Sequence, residues 1–278
     1  METTLSASGT SGKIQGGDEA LLTELEPVSH AEAVTWFAER LWPREGLPRV
    51  GHFIPEGFER YARLLHPAYH HQEGEVAWSR VAEWSGRELH PTVNFEYLAT
   101  REDGRHWSSE GAAGPDEELS RSLCAHLSTI LAKFTSTPDR SWFCVWYGYG
   151  DIKLDQPAIE ITPRISSSGR RYFLFRGPVE AVANLEFPNA AQPLVARAWH
   201  GPSEDTILPP AFHSPNFWWP EDRAWFLSTE IDGPSTYIGG SEGLIARLLA
   251  DTELEVLPAS VDDPFEGVHP SSVSPDED

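Results

Sequence analysis

The sequence predicts an α+β domain: a mixed, mostly antiparallel sheet from two related strand-loop-strand-helix units, with N-terminal helices packed on it. Three observations carry this. Residues 217–249, FWWPEDRAWFLSTEIDGPSTYIGGSEGLIARLL, run through an apolar segment, a polar turn, a second apolar segment, a glycine pair and an amphipathic stretch, which reads as strand, turn, strand, corner and helix. The start of that run, Asp222-Arg223-Ala224-Trp225-Phe226, is echoed by Asp139-Arg140-Ser141-Trp142-Phe143, each copy shortly after a proline, Pro220 or Pro138; a unit used twice accounts for the echo, as does coincidence over five positions. Residues 141–147 are almost continuously apolar, as expected of a central strand covered on both faces.

In chain order, residues 1–28 begin acidic, are rich in Ser, Thr and Gly, and carry too little apolar periodicity to order, so they read as a disordered N-terminal segment. A single domain then spans 29–260. Ser29 with Glu32 forms a capping box, and Val34, Phe37, Ala38, Leu41 and Trp42 share one face, which predicts a helix over 30–42 ending before Pro43. Pro55 suits the first turn of a second helix, 55–66, in which Phe58, Tyr61, Ala62 and Leu65 align before Pro67. Trp78, Val81 and Ala82 place a third at 76–84, stopped by Gly86, and Val93, Phe95 and Leu98 mark a short strand. Asp116, Glu117 and Glu118 put negative charge at the start of a helix over 117–134, whose stripe is Leu119, Leu123, Leu127, Ile130, Leu131 and Phe134. Strands at 159–165 and 171–175 flank the turn Ser166-Ser167-Ser168-Gly169. Residues 185–215 read as a long proline-rich loop, 242–250 as the last helix, 254–257 as a short edge strand, and 261–278 as a disordered acidic tail.

Composition removes whole classes of function. A net charge of −22 over 278 residues, with the cations almost all arginine, repels nucleic-acid phosphates and anionic lipid and steers basic proteins inward; ordinary acidic solubility explains the same number. Neither nucleic acid nor membrane is an expected partner, since no apolar run reaches the length of a span. Cys124 and Cys144 are the only cysteines, so no disulfide framework exists and a reducing compartment, the cytoplasm, is the expectation. No basic and apolar leader pattern opens the chain. Neither GxGxxG nor GxxxxGK[ST] occurs, so no nucleotide cofactor is expected.

Three constellations could carry chemistry. Gly239-Gly240-Ser241-Glu242-Gly243 matches G-x-S-x-G between a strand and a helix, the setting of a hydrolase nucleophile elbow; the plainer reading is a glycine corner with Ser241 capping the helix, and only Asp251, Asp262, Asp263 and His269 follow it to complete a triad. Glu230 and Asp232, two apart on a strand, face one side and suit a divalent cation, a partner-facing patch or a solvated edge. His66, His70 and His71 have helical zinc spacing, but Pro67 interrupts it, and a surface histidine cluster with no metal is the expectation.

The segments Trp218-Trp219-Pro220-Glu221-Asp222-Arg223, Thr229-Glu230-Ile231-Asp232 and Ser235-Thr236-Tyr237-Ile238-Gly239-Gly240-Ser241 resemble the C-terminal signature of uncharacterised bacterial proteins, a likeness over about the last quarter of the chain that implies no activity. An N-terminal helix followed by strands that end in acidic-aromatic turns is similar to the SUKH superfamily, whose bacterial members are often immunity proteins that neutralise toxins. This chain is longer than one SUKH domain, and no functional residue carries over. The expectation is therefore a non-enzymatic cytoplasmic binding protein, of the immunity class by resemblance, that engages a basic protein partner, a toxin in that case, through an acidic aromatic surface at Trp218, Trp219, Glu221, Asp222, Glu230, Asp232 and Tyr237. The alternative is a hydrolase or metal-dependent enzyme centred on Ser241 or on Glu230 and Asp232.

Overall fold

A computed structural model describes residues 24–28, 32–43, 46–152, 154, 164–167, 170–189, 210–231 and 233–265. Its centre is a nine-stranded sheet in which every pairing is antiparallel. The strands are β1 (Glu26–Pro27), β2 (Arg60–Leu65), β6 (Ser141–Trp146), β7 (Arg164–Ser167), β8 (Arg170–Gly177), β11 (Phe217–Pro220), β12 (Phe226–Thr229), β13 (Ser235–Gly240) and β14 (Val256–Ala259). Their spatial order is β1-β8-β6-β11-β12-β13-β2-β14, with β7 on the same side of β8 as β1. The expected α+β class, the central position of the 141–147 segment and the edge strand near residue 256 all hold.

Period-2 alternation decides which side chain enters which layer. Phe143, Val145, Trp218, Leu227, Ile238, Ala62 and Leu64 point to one face, where α4 (Arg121–Leu131), α5 (Glu242–Leu249) and the 3₁₀ turn Val179–Asn184 cover them. Cys144, Leu174, Phe217, Trp219, Phe226 and Tyr237 point to the other, under α1 (Glu32–Ala38) and the segment around Val50 and Ile54. A third cluster lies under α2 (Trp78–Ser85) and α3 (Phe95–Leu98), built on Trp78 and Trp107. It carries the three-stranded sheet of β3 (Ala68–His70), β4 (Gly74–Val76) and β5 (Ala112–Ala113); β9 (Glu186–Phe187) and β10 (Ala211–Phe212) form a separate pair.

Local chemistry sets the helix limits. Ser241 accepts from the Leu244 amide at 3.2 Å and caps α5. Gly86 ends α2 with φ +74°, the left-handed conformation glycine enters at least cost. Ser120 caps α4 through the Leu123 amide, so that helix begins after the acidic run 116–118 rather than at it.

Four expectations are corrected. The predicted helix at 55–66 is strand β2 over Arg60–Leu65, because β13 and β14 pair with its two edges; a short apolar run carries no period that separates helix from strand, and pairing on both sides wins. The predicted strand around Val93–Leu98 is helix α3, capped by the Asn94 side chain on the Glu96 amide. The domain begins before residue 29: Glu26 and Pro27 pair with β8, and Leu25 and Val28 are buried. It also extends past 260, since the Phe265 ring stacks on Phe53 at 3.9 Å and the Gly51 amide donates to the Val261 carbonyl. The Ser29 half of the predicted capping box lies outside the described residues.

The 139–143 and 222–226 echo is not a structural duplication. The pairs β6–β8 and β12–β13 flank β11 in opposite spatial order. A rotation that superposes one pair on the other exchanges the faces of the sheet, and indeed Trp142 packs on one face and its counterpart Trp225 on the other. The helical segments that follow them do not exchange: Val179–Asn184 and α5 both pack on the α4 side.

Candidate functional site

The residues expected to form an acidic aromatic surface divide on folding. Trp218 (0% exposed), Trp219 (1%) and Tyr237 (2%) are core side chains, so the expectation that these three rings project from the surface is corrected: strands β11 and β13 are covered on both faces, and either side of the pleat leads inward. The carboxylates are occupied. Glu221 pairs with Arg176 at 2.9 Å and with Arg140 at 3.7 Å. Asp222 accepts from the Thr135 and Ser136 hydroxyls and the Ser136 amide, at 2.6–2.7 Å, and from the Ala224 amide. Burial alone would raise its carboxyl; the Ser136 and Thr135 hydrogen bonds outweigh this and hold it below the ordinary carboxylate range. Glu230 pairs with Arg170. Asp232 lies outside the described residues.

The enzymatic constellations do not assemble among the described residues. Ser241 serves as the α5 cap, and His269 lies outside them. The histidine cluster is a surface feature only at His71, which is exposed: His66 is fully buried, its Nδ1 donating to the Asp116 carbonyl at 2.7 Å and its Nε2 accepting from Thr236 Oγ1 at 2.9 Å. His70 is buried beside Glu73, and His71 faces the Gly111 carbonyl. Among the described residues no three His, Cys, Asp or Glu side chains are placed to hold a metal ion. Cys124 in α4 and Cys144 in β6 are free thiols at 0% exposure, and burial pushes both well above the ordinary thiol range.

Acidic and aromatic groups do converge elsewhere, in an open cleft of about 620 Å³ where the segment before α4 meets the residues after β6 and β10. His213 stands at its base, 4% exposed. Its Nδ1 faces Glu118 at 3.1 Å and its Nε2 faces Asp151 at 3.0 Å. The Tyr149 ring stacks on the imidazole at 4.0 Å with an interplanar angle of 14°. Its hydroxyl is buried without a well-formed hydrogen bond, and burial first, then the charge of Glu118, holds the phenol well above its usual range. Asp116 and Glu117 form the exposed rim, and neither has an ion-pair partner among the described residues. Phe212 closes the wall and carries the Arg121 guanidinium 4.8 Å from its centroid, with that arginine paired to Glu186.

A second cleft, of about 430 Å³, opens beside β1 on the α1 side of the sheet, and it is here that Trp219 and Glu221 are brought together. Trp36 and Trp142 form its half-buried walls and Trp219 its floor; Trp142 and Trp219 lie 12° from parallel, 6.3 Å between centroids. Arg176 sits over Trp142 at 5.4 Å and Arg223 over Trp36 at 5.0 Å.

Neither cleft was found from sequence. Glu118, Asp151 and His213 are separated by 95 and 62 positions, and His213 fell within what reads as loop. The triple acid at 116–118 is the available signal, and before an apolar helical stripe it reads as charge at a helix start. Comparison with family models, curated proteins and solved structures finds no match to this chain.

Proposed function

We propose that this chain is a non-enzymatic cytoplasmic binding protein that takes a basic protein partner at the acidic cleft around His213. The observation that carries the reading is the charge of that cleft: Asp116, Glu117, Glu118 and Asp151 ring the Tyr149, Phe212 and His213 side chains, and no lysine or arginine is among its described lining residues. Exposed carboxylates at the rim accelerate encounter with a basic surface, and half-buried rings behind them anchor an inserted side chain. Arg121 on Phe212 supplies an internal precedent for a guanidinium held against this wall. The structural duties taken up by Ser241 and Glu230 favour binding over turnover. The similarity to SUKH proteins gives the partner a class, a basic toxin, and the free buried thiols suit a reducing compartment.

Titration of the full chain with a nona-arginine peptide tests the reading. Any anionic protein attracts such a peptide, so the variants decide. Asp116→Lys/Glu117→Lys is expected to weaken binding by about tenfold or more, and Glu83→Lys/Glu88→Lys, an equal charge change at exposed positions of α2 and its flank, by less than about threefold. Equal losses from the two pairs contradict a local site.

A further inference from the structure

The cleft beside β1 differs from the acidic one in charge: its lining sets Arg176 and Arg223 against Glu26 and Glu221 and is neutral overall. In a chain with 43 acidic and 21 basic side chains, many arginines find carboxylates, as Arg176 holds Glu221, Arg121 holds Glu186 and Arg247 holds Asp251, and others, Arg49, Arg63, Arg87 and Arg101, donate to backbone carbonyls. Arg40 and Arg223 do neither among the described residues. Both guanidiniums stand over the Trp36 ring, at 5.9 and 5.0 Å from its centroid, and among the described residues neither has a carboxylate within ion-pair distance. Glu26 lines the same cleft, with no ion-pair partner among the described residues.

The backbone holds this arrangement at a cost. Arg223 adopts φ +59°, a left-handed conformation that a long side chain takes only when its surroundings impose it and that recurs at ligand clamps. Its amide closes the turn on the Pro220 carbonyl at 2.9 Å, and Asp222, fixed by Thr135 and Ser136, braces the next residue. The cleft thus combines half-buried indole walls with a guanidinium, that of Arg223, which has no carboxylate among the described residues, and its volume of about 430 Å³ is that of a small-molecule site.

We propose that this cleft, independently of the acidic one, binds a small aromatic anion, its ring against Trp36 and Trp142 and its carboxylate paired with Arg223. A planar guanidinium meets a carboxylate through two parallel hydrogen bonds, and an uncharged isostere forfeits that pairing.

The probe is 1-naphthoate, with 1-naphthamide as its neutral counterpart, titrated into the full-length chain by calorimetry and by quenching of tryptophan fluorescence. Saturable binding of the naphthoate at a single site is expected, with the amide weaker by about tenfold or more, the scale of a charge-assisted hydrogen bond. Arg223→Gln is expected to weaken the naphthoate by a similar factor while leaving the amide unchanged; the residue is exposed, and a thermal melt confirms that the variant folds. Arg80→Gln, far along the chain in α2, serves as the control and is expected to leave both affinities unchanged. No saturable binding, equal affinity for acid and amide, or indifference to Arg223→Gln overturns the proposal.

Discussion

Replacing Trp218 with alanine is expected to lower the free energy of unfolding by about 3–5 kcal/mol. The side chain is fully buried on the α4 face of the sheet, with Phe143 stacked on it at 5.6 Å and Trp225 against its edge at 5.4 Å. It lies in the middle of β11, paired to β6 and β12 on both sides, so the layers cannot close over the void without moving two strands. For a domain of this size the loss corresponds to a fall in melting temperature of roughly 10 °C. Trp218→Phe is expected to cost much less, because the ring contacts survive and the indole N–H that is lost has no acceptor to leave behind. Denaturant titration of the two variants checks this. A surface anchor, which the sequence suggests for this residue, would change stability by no more than about 0.5 kcal/mol on truncation.

Acidification from pH 7 to pH 4.5 is expected to remove roughly 2–3 kcal/mol of stability through His66 alone. Burial first, opposed by the Asp116 carbonyl and reinforced by the Arg63 charge, lowers the imidazole to about 4 in the folded chain. The unfolded value is about 6.5. The folded state therefore binds fewer protons, the His66 contribution is complete above about pH 6.5, and it is lost as the pH falls toward 4. Asp222 and Asp251, both held below the ordinary carboxylate range, keep their contributions through this window and lose them only at lower pH. Urea midpoints at the two pH values should diverge in the wild type and converge in His66→Gln, whose amide can still meet Thr236 but does not titrate.

The parts of the fold legible in the sequence are those where a local device and the tertiary environment agree. Ser241 caps the helix that follows it, Gly86 stops α2, and the apolar run around Phe143 is a central strand because both of its faces are covered. The parts that were not legible depend on partners distant in the chain. Residues 60–65 satisfy a helical face through Phe58, Tyr61, Ala62 and Leu65 as well as they satisfy a strand, and only the arrival of β13 and β14 settles the matter. The same holds for the tryptophans. Trp218 and Trp219 beside Glu221 and Asp222 look like an exposed acidic aromatic patch until two flanking strands and helices on both faces bury the rings, and Arg140, Arg176, Thr135 and Ser136 take up the acids. Both clefts are tertiary products: one joins Glu118, Asp151 and His213, the other Trp36 of α1 with Arg223 of a turn about two thirds of the chain away.

The central claim is that a basic partner is received at the Asp116–Glu117 rim rather than at the turn carrying Glu221 and Asp222. Hydrogen–deuterium exchange of the full chain, with and without saturating nona-arginine peptide, separates the two most directly. The account predicts slowed exchange in residues 115–120 and 149–151 with residues 221–224 unchanged. Slowing confined to 221–224, or spread evenly over the acidic surface, contradicts it.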